Sequence, residues 1–169
     1  MKLILQTPRL YLREFQIADA EKMYNLSIDP AVIKYTGNDS FTSISDAKKF
    51  LLSYGDYEEN GFGRWAVINK ENDEFLGWCG LKQHKNGFVD IDFRFFREQW
   101  GRGYATESAK ACLEYGFKKL QLKEIIGRVD KENKASVKVL EKLGMGYFKK
   151  DKCHRIENAL YYKIASVKK

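Results

Sequence analysis

With 169 residues, 44% of them hydrophobic and 14% aromatic, the chain can bury a substantial core without staples and is not a disordered polypeptide. Its apolar runs span only a few residues, which excludes a membrane span, and Met1 to Gln6 is too short for a secretory signal. Its formal charge is +7, yet no basic run interleaved with aromatics appears, so the lysines are expected on solvated helix faces and not against nucleic acid. Cys79, Cys112 and Cys153 are odd in number and scattered. With only His84 and His154 beside them they predict neither disulfides nor a metal site, and they suit a reducing cytoplasm.

In chain order, Leu10 to Phe15 reads as a first strand after Thr7-Pro8-Arg9. A helix begins at or just before Asp19 and turns Ala20, Met23, Tyr24 and Leu26 inward. Asp29-Pro30 restarts the chain as a short helical turn ending near Tyr35-Thr36-Gly37. Ser43 or Ser45 caps a longer helix carrying Ala47, Phe50, Leu51, Tyr54 and Tyr57, and Asn60-Gly61-Phe62-Gly63 breaks it. A three-strand meander follows: Arg64 to Ile68, Phe75 to Lys82, and Phe88 to Phe96. Helical spacing then aligns Ala105, Ala109, Cys112, Leu113, Gly116, Phe117 and Leu120 on one face. Glu124 to Val129 is a strand, and Asn133 caps a helix that Gly144 stops. Tyr147-Phe148 and Ala159 to Ile164 supply two closing strands. The predicted product is one α/β domain over residues 1–169, a mixed, mostly antiparallel sheet of about seven strands with helices on both faces.

In such sheets a ligand site forms at the carboxyl end of a strand where a helix begins. Gln99-Trp100-Gly101-Arg102-Gly103-Tyr104-Ala105-Thr106 stands in that place. A strand that passes through glycines into a helix leaves N–H groups unpaired, and with the positive end of the helix dipole they suit phosphate. A P-loop is excluded, because Gly103-Tyr104-Ala105 does not supply Gly-Lys-Ser/Thr. The dinucleotide fingerprint fails as well, since Thr106 occupies the third-glycine position.

Trp100-Gly101-Arg102-Gly103-Tyr104-Ala105 resembles the Gln/Arg-x-x-Gly-x-Gly/Ala acyl-CoA loop of the GNAT acetyltransferases, with Trp100 in the usual Gln/Arg place. Thr7-Pro8-Arg9-Leu10-Tyr11-Leu12-Arg13, Ala18-Asp19-Ala20 and Asp29-Pro30-Ala31-Val32 resemble successive markers of its ribosomal-protein alanine and serine N-terminal acetyltransferase branch. Val89-Asp90-Ile91-Asp92-Phe93, Asn133-Lys134-Ala135-Ser136-Val137 and Glu141-Lys142-Leu143-Gly144-Met145 complete the set, in the same order.

The resemblance implies a splayed acyl-CoA cleft and acetyl-CoA as co-substrate, with no metal. The backbone of Phe93, Arg94 and Phe95 would bond the pantetheine amides, and Gly101, Arg102, Gly103, Tyr104, Ala105 and Thr106 would take the pyrophosphate. Asn133 would reach the pantetheine or thioester end, and part of the positive charge would greet the anionic CoA. Aminolysis requires a deprotonated amine, an oxyanion donor, placed near Phe95, and an exit for the thiolate. The family's acidic tyrosine is replaced by Leu140, which brings Ser136 forward as the acid and Asp90, or Asp92 on the same strand face, as a proton relay. A Cys79–His84 acyl-enzyme route is the weaker alternative, for want of a third orienting group.

The resemblance also implies a primary amine as acceptor, with a protein N-terminal α-amine, polyamines and antibiotic-like amines all open, and segment 28–63 as the wall of its pocket. A non-catalytic acyl-CoA sensor or scaffold is the alternative from another class, and the resemblance leaves a homodimer open.

Overall fold

Alternation of buried and exposed side chains sets the strands, and strand pairing sets everything that follows. The computed structural model describes residues 2–167. Two short strands, β1 (Leu3–Gln6) and β2 (Leu10–Arg13), lead into α1 (Ala20–Ile28), α2 (Pro30–Ile33), α3 (Ile44–Leu52) and α4 (Asp56–Asn60). The meander is β3 (Arg64–Asn69), β4 (Phe75–Gln83) and β5 (Val89–Phe95). After α5 (Tyr104–Lys118) come β6 (Glu124–Asp130), α6 (Lys134–Lys142), β7 (Gly146–Cys153) and β8 (Ile156–Ala165). They form one sheet in the order β1-β2-β3-β4-β5-β6-β8-β7, antiparallel except where β5 meets β6.

The mixed sheet is as the sequence predicts, with two differences. It has eight strands, because Leu3–Gln6 pairs with β2 as an edge strand too short to announce itself by alternation. The long helix expected to run on to Tyr57 is two helices: Ser53 closes α3 and Gly55 opens α4, which Gly61 ends in the left-handed conformation. Of the two candidate caps, Ser43 is the one used, accepting from the Asp46 N–H at 3.0 Å.

One face of the sheet buries Leu12, Trp65, Val67, Cys79, Leu81 and Ile91 against α5 and α6. The other buries Ala66, Ile68 and Trp78 against Ala20, Met23, Leu26 and Ala47 of α1 and α3. A buried bidentate pair ties β2 to the start of α1, with Arg13 donating to Asp19 at 2.7 and 2.8 Å. The β4–β5 ladder closes only because residue 77 is glycine. A Cβ there would lie 2.2 Å from the carbonyl oxygen of Arg94.

Candidate active site

β4 pairs β5 along its whole length, from Gly77↔Phe95 to Gln83↔Val89, and the Phe96 N–H donates to Leu76 O at 3.1 Å. In an antiparallel ladder of that phase the backbone groups of Asp90, Asp92 and Arg94 point toward β4, and those of Ile91, Phe93 and Phe95 point the other way, toward β6. β6 meets β5 at a single register pair, Asp90↔Ile126, and beyond it the two strands are unpaired. The edge presented by Phe93 and Phe95 therefore faces a gap. One of its carbonyls, that of Phe95, accepts the Trp100 indole N–H at 3.1 Å. Such an edge is fitted to an extended amide-bearing chain. Arg94 gives its backbone to β4 instead of the gap, and its side chain to the opposite face of the sheet.

Past β5 a single helical turn, Arg97–Gln99, leads to Gly101 and Gly103, at φ 72° and 81°. Left-handed backbone of this kind is where glycine avoids a steric penalty. α5 then opens at Tyr104. Among the described residues, the N–H groups from Gly101 to Thr106 find no protein acceptor, and the first bond back is from the Glu107 N–H to Gly103 O at 3.0 Å. Ala105 and Thr106 are half-buried, while Arg102 is exposed.

The loop is braced from β1–β2. Glu107 accepts from the Thr7 hydroxyl at 2.6 Å, the Arg9 N–H at 3.0 Å and Arg9 Nε at 2.7 Å. Arg9 also donates to Arg102 O at 3.0 Å and lies 4.5 Å over the Tyr104 ring. Burial pushes the Glu107 carboxyl up, but these bonds together outweigh it and hold its pKa below the usual value. The sequence marks Thr7 and Arg9 only as motif positions. Nothing local says that they brace a helix so far along the chain.

At the end of β6, Asn133 caps α6, its Oδ1 accepting from the Ser136 N–H at 3.2 Å. Its side-chain NH₂ makes no hydrogen bond among the described residues. The Ser136 hydroxyl makes no hydrogen bond among the described residues and is half-buried. Leu140 is 2% exposed, packed over Gly127 in the core.

The two candidate carboxylates part company. Asp90 is buried, with Arg128 Nε donating to its Oδ2 at 2.9 Å and His84 Nε2 at 3.1 Å from the same oxygen. That oxygen anchors Arg128, while Asp90 Oδ1 is buried with no hydrogen-bond partner among the described residues. Among the described residues Asp92 pairs only with Arg64, at 3.8 Å. Burial raises its pKa against the pull of Arg64, although 41% of the side chain still reaches solvent, which limits the rise. Cys79 lies in the α5-side core, 3.7 Å from Cys112 Sγ, whereas His84 belongs to the Asp90 cluster on the other face. A thiol–imidazole pair is therefore not assembled.

Arg64, the partner of Asp92, lines a recess of about 130 Å³ between the sheet and the segment after α1. Trp78, Arg64 and Arg94 form its sheet side, and Asn38, Phe41 and Phe50 come from the segment expected to shape the acceptor pocket. Among the described residues no group of acidic, cysteine or histidine side chains is arranged to hold a metal.

A family model described as an acetyltransferase (GNAT) domain matches residues 9–146. The chain is 35% identical over 142 residues to an uncharacterized N-acetyltransferase, p20, of Bacillus licheniformis, covering 82% of this chain and 80% of that one. It is 43% identical over 138 residues to the spermidine N(1)-acetyltransferase of Escherichia coli K12, covering 79% and 70%. The crystal structure of an acetyltransferase (GNAT family) from Bacillus anthracis superposes with a TM-score of 0.80 at 31% identity, covering 96% of this chain and 98% of that one. Matched across residues 9–146 and similar in fold over nearly its full length, the chain belongs to the GNAT acetyltransferase family and is an acetyl-CoA-dependent N-acetyltransferase.

Proposed function

We propose that the chain, acting as one domain, acetylates the α-amine of an acceptor seated in the Trp78 recess, directly and within a ternary complex. The observation that carries this reading is the position of β5. Its edge at Phe93 and Phe95 opens on the gap, while the Arg94 side chain lines the recess and Asp92 reaches Arg64 on the recess wall. One strand thus backs both substrates.

The residues fit acetyl-CoA. Six successive free amides from Gly101 to Thr106 suit a diphosphate at a helix start, and the strand edge suits the pantetheine amides. When bound, acetyl-CoA supplies the activated acyl carbon and a thiolate leaving group. β5 runs toward the phosphate loop, so Phe93 lies farther from it than Phe95 does. On that order Phe95 would serve the pantetheine, and the Phe93 N–H, in place of one near Phe95, would be the oxyanion donor. The Asn133 NH₂ would orient the thioester end from the opposite wall.

Proton traffic falls to Asp92 and Ser136. An α-amine has a pKa near ~7.7–8.0 against ~10.4 for a lysine amine, so a weak base suffices. An acceptor ammonium gives up two protons as its nitrogen gains the acetyl carbon and the C–S bond breaks. Asp92 passes one to water, and Ser136 Oγ delivers one to the departing sulfur and is refilled by the other. Asp90 is not used, because Arg128 holds it.

Initial rates of thiol release with varied acetyl-CoA and amine test the reading. Intersecting double-reciprocal lines, with no release in the absence of amine, are expected. Tight acetyl-CoA binding with no release over peptides, amino acids and small amines would make the chain a sensor or scaffold instead. A protein N-terminus, which the branch markers in the sequence favour, offers such an α-amine; spermidine, named for the 43% identical relative, does not and is the competing acceptor class.

A further inference from the structure

The recess holds a charge imbalance that the transfer chemistry does not use. Two guanidinium groups stack on Trp78, Arg64 at 5.1 Å and Arg94 at 5.2 Å from its ring centre. Arg64 has an anionic partner, Asp92 at 3.8 Å, and the Tyr54 hydroxyl at 3.5 Å. The Arg94 side chain forms neither an ion pair nor a hydrogen bond among the described residues. The carboxylate on the lining, Asp39, is taken by both terminal nitrogens of Arg155 at 2.7 and 2.9 Å. Lys82 adds to the positive field around Asp92.

A half-buried guanidinium without an anion is costly, yet stacking on an indole leaves its edge N–H groups free for a fork-shaped partner such as a carboxylate. The guanidinium stays cationic throughout the physiological range. The rest of the lining is largely apolar, with Phe15, Met23, Leu26, Phe41 and Phe50. At about 130 Å³ the recess is also smaller than the roughly 300–1,000 Å³ of sites for drug-sized ligands.

Resting on the assignment of this recess as the acceptor site, we infer that the acceptor is a small amine carrying its own anionic group, in form an α-amino acid with an apolar side chain. Arg94 receives the anion, Asp92 faces the ammonium, and the aromatic wall covers the side chain. A polyamine brings only positive charge to two arginines and is disfavoured, whatever its relatives accept.

The test compares L-leucine, L-leucinamide, an uncharged-tail dipeptide amide and spermidine. Each is read both by calorimetric titration of the protein and by CoA release. L-leucine should bind on the order of tenfold or more better than L-leucinamide, the range for a charge-assisted hydrogen bond. Arg94→Gln should abolish that ratio, and Arg94→Lys should retain part of it. Equal binding of acid and amide, or a preference for spermidine or the dipeptide amide, overturns the inference. Calorimetry reads the preference whether or not CoA is released. A retained preference without release therefore overturns the transfer reading alone.

Discussion

Asp90 and Asp92 are two residues apart on one face of β5, and their surroundings separate their roles. Asp92 has its folded pKa raised above the unfolded value by burial, so its ionised, proton-accepting form is lost as pH falls through that raised value. At saturating acceptor, kcat should fall on the acid side before an ordinary carboxylate would titrate, and Asp92→Asn should remove that limb with much of the rate. The stability sign is opposite. A carboxyl with a raised folded pKa is destabilising once ionised, so Asp92→Asn should unfold no sooner than wild type at neutral pH. A variant that keeps the full rate and the acid limb would remove Asp92 from the reaction. Ser136→Ala should lower kcat by on the order of 10²-fold, with acetyl-CoA binding unchanged. Unchanged turnover would leave thiolate departure unassisted. Asp19 stands apart as a purely structural residue. Asp19→Ala strands the buried Arg13 and should cost about 3–5 kcal/mol in denaturant unfolding.

At the scale of elements, the cofactor loop is a β5–α5 joint whose shape is held from β1–β2. Gly103→Ala places a side chain at φ 81°, a strain of roughly 1–2 kcal/mol that the loop relieves by moving its free amides. The KM for acetyl-CoA should rise about tenfold, and the acceptor KM should change little. Glu107 has a depressed folded pKa, so its contribution is fully present above the unfolded carboxylate value and lost as pH falls through the folded one. Glu107→Gln should therefore lower stability by about 1–2 kcal/mol at neutral pH, with the difference from wild type closing on acidification. A difference that persists into acid would mean that packing, not charge, is what Glu107 supplies.

Across the whole molecule, β5 must pair tightly with β4 and part from β6. Gly77 secures the first, and the lone Asp90↔Ile126 register pair permits the second. Gly77→Ala pushes a Cβ into the backbone at Arg94 and should impair both stability and acetyl-CoA binding, because the same strand carries both. The +7 charge acts over a longer range. If it draws in the anionic co-substrate, kcat/KM for acetyl-CoA should fall with added salt while kcat holds steady. No dependence on ionic strength would reduce that charge to a solvated surface.

Local chemistry settled a good part of this in advance. Period-two runs marked the meander, Asn133 and Gly144 bracketed α6, and the glycines at 101 and 103 announced a helix start with bare amides, since each signal acts within a few residues. Folding alone decided the partners. Arg9 and Glu107 meet because β2 is placed beside α5, and Arg128 reaches Asp90 because β6 runs parallel to β5. Arg94, legible in the sequence only as backbone of the acyl-CoA strand, becomes a cation over Trp78 with no ion-pair partner among the described residues, through strand parity and β4 register. Such contacts join residues far apart in the chain, and their geometry follows from strand order and register, which no local pattern encodes.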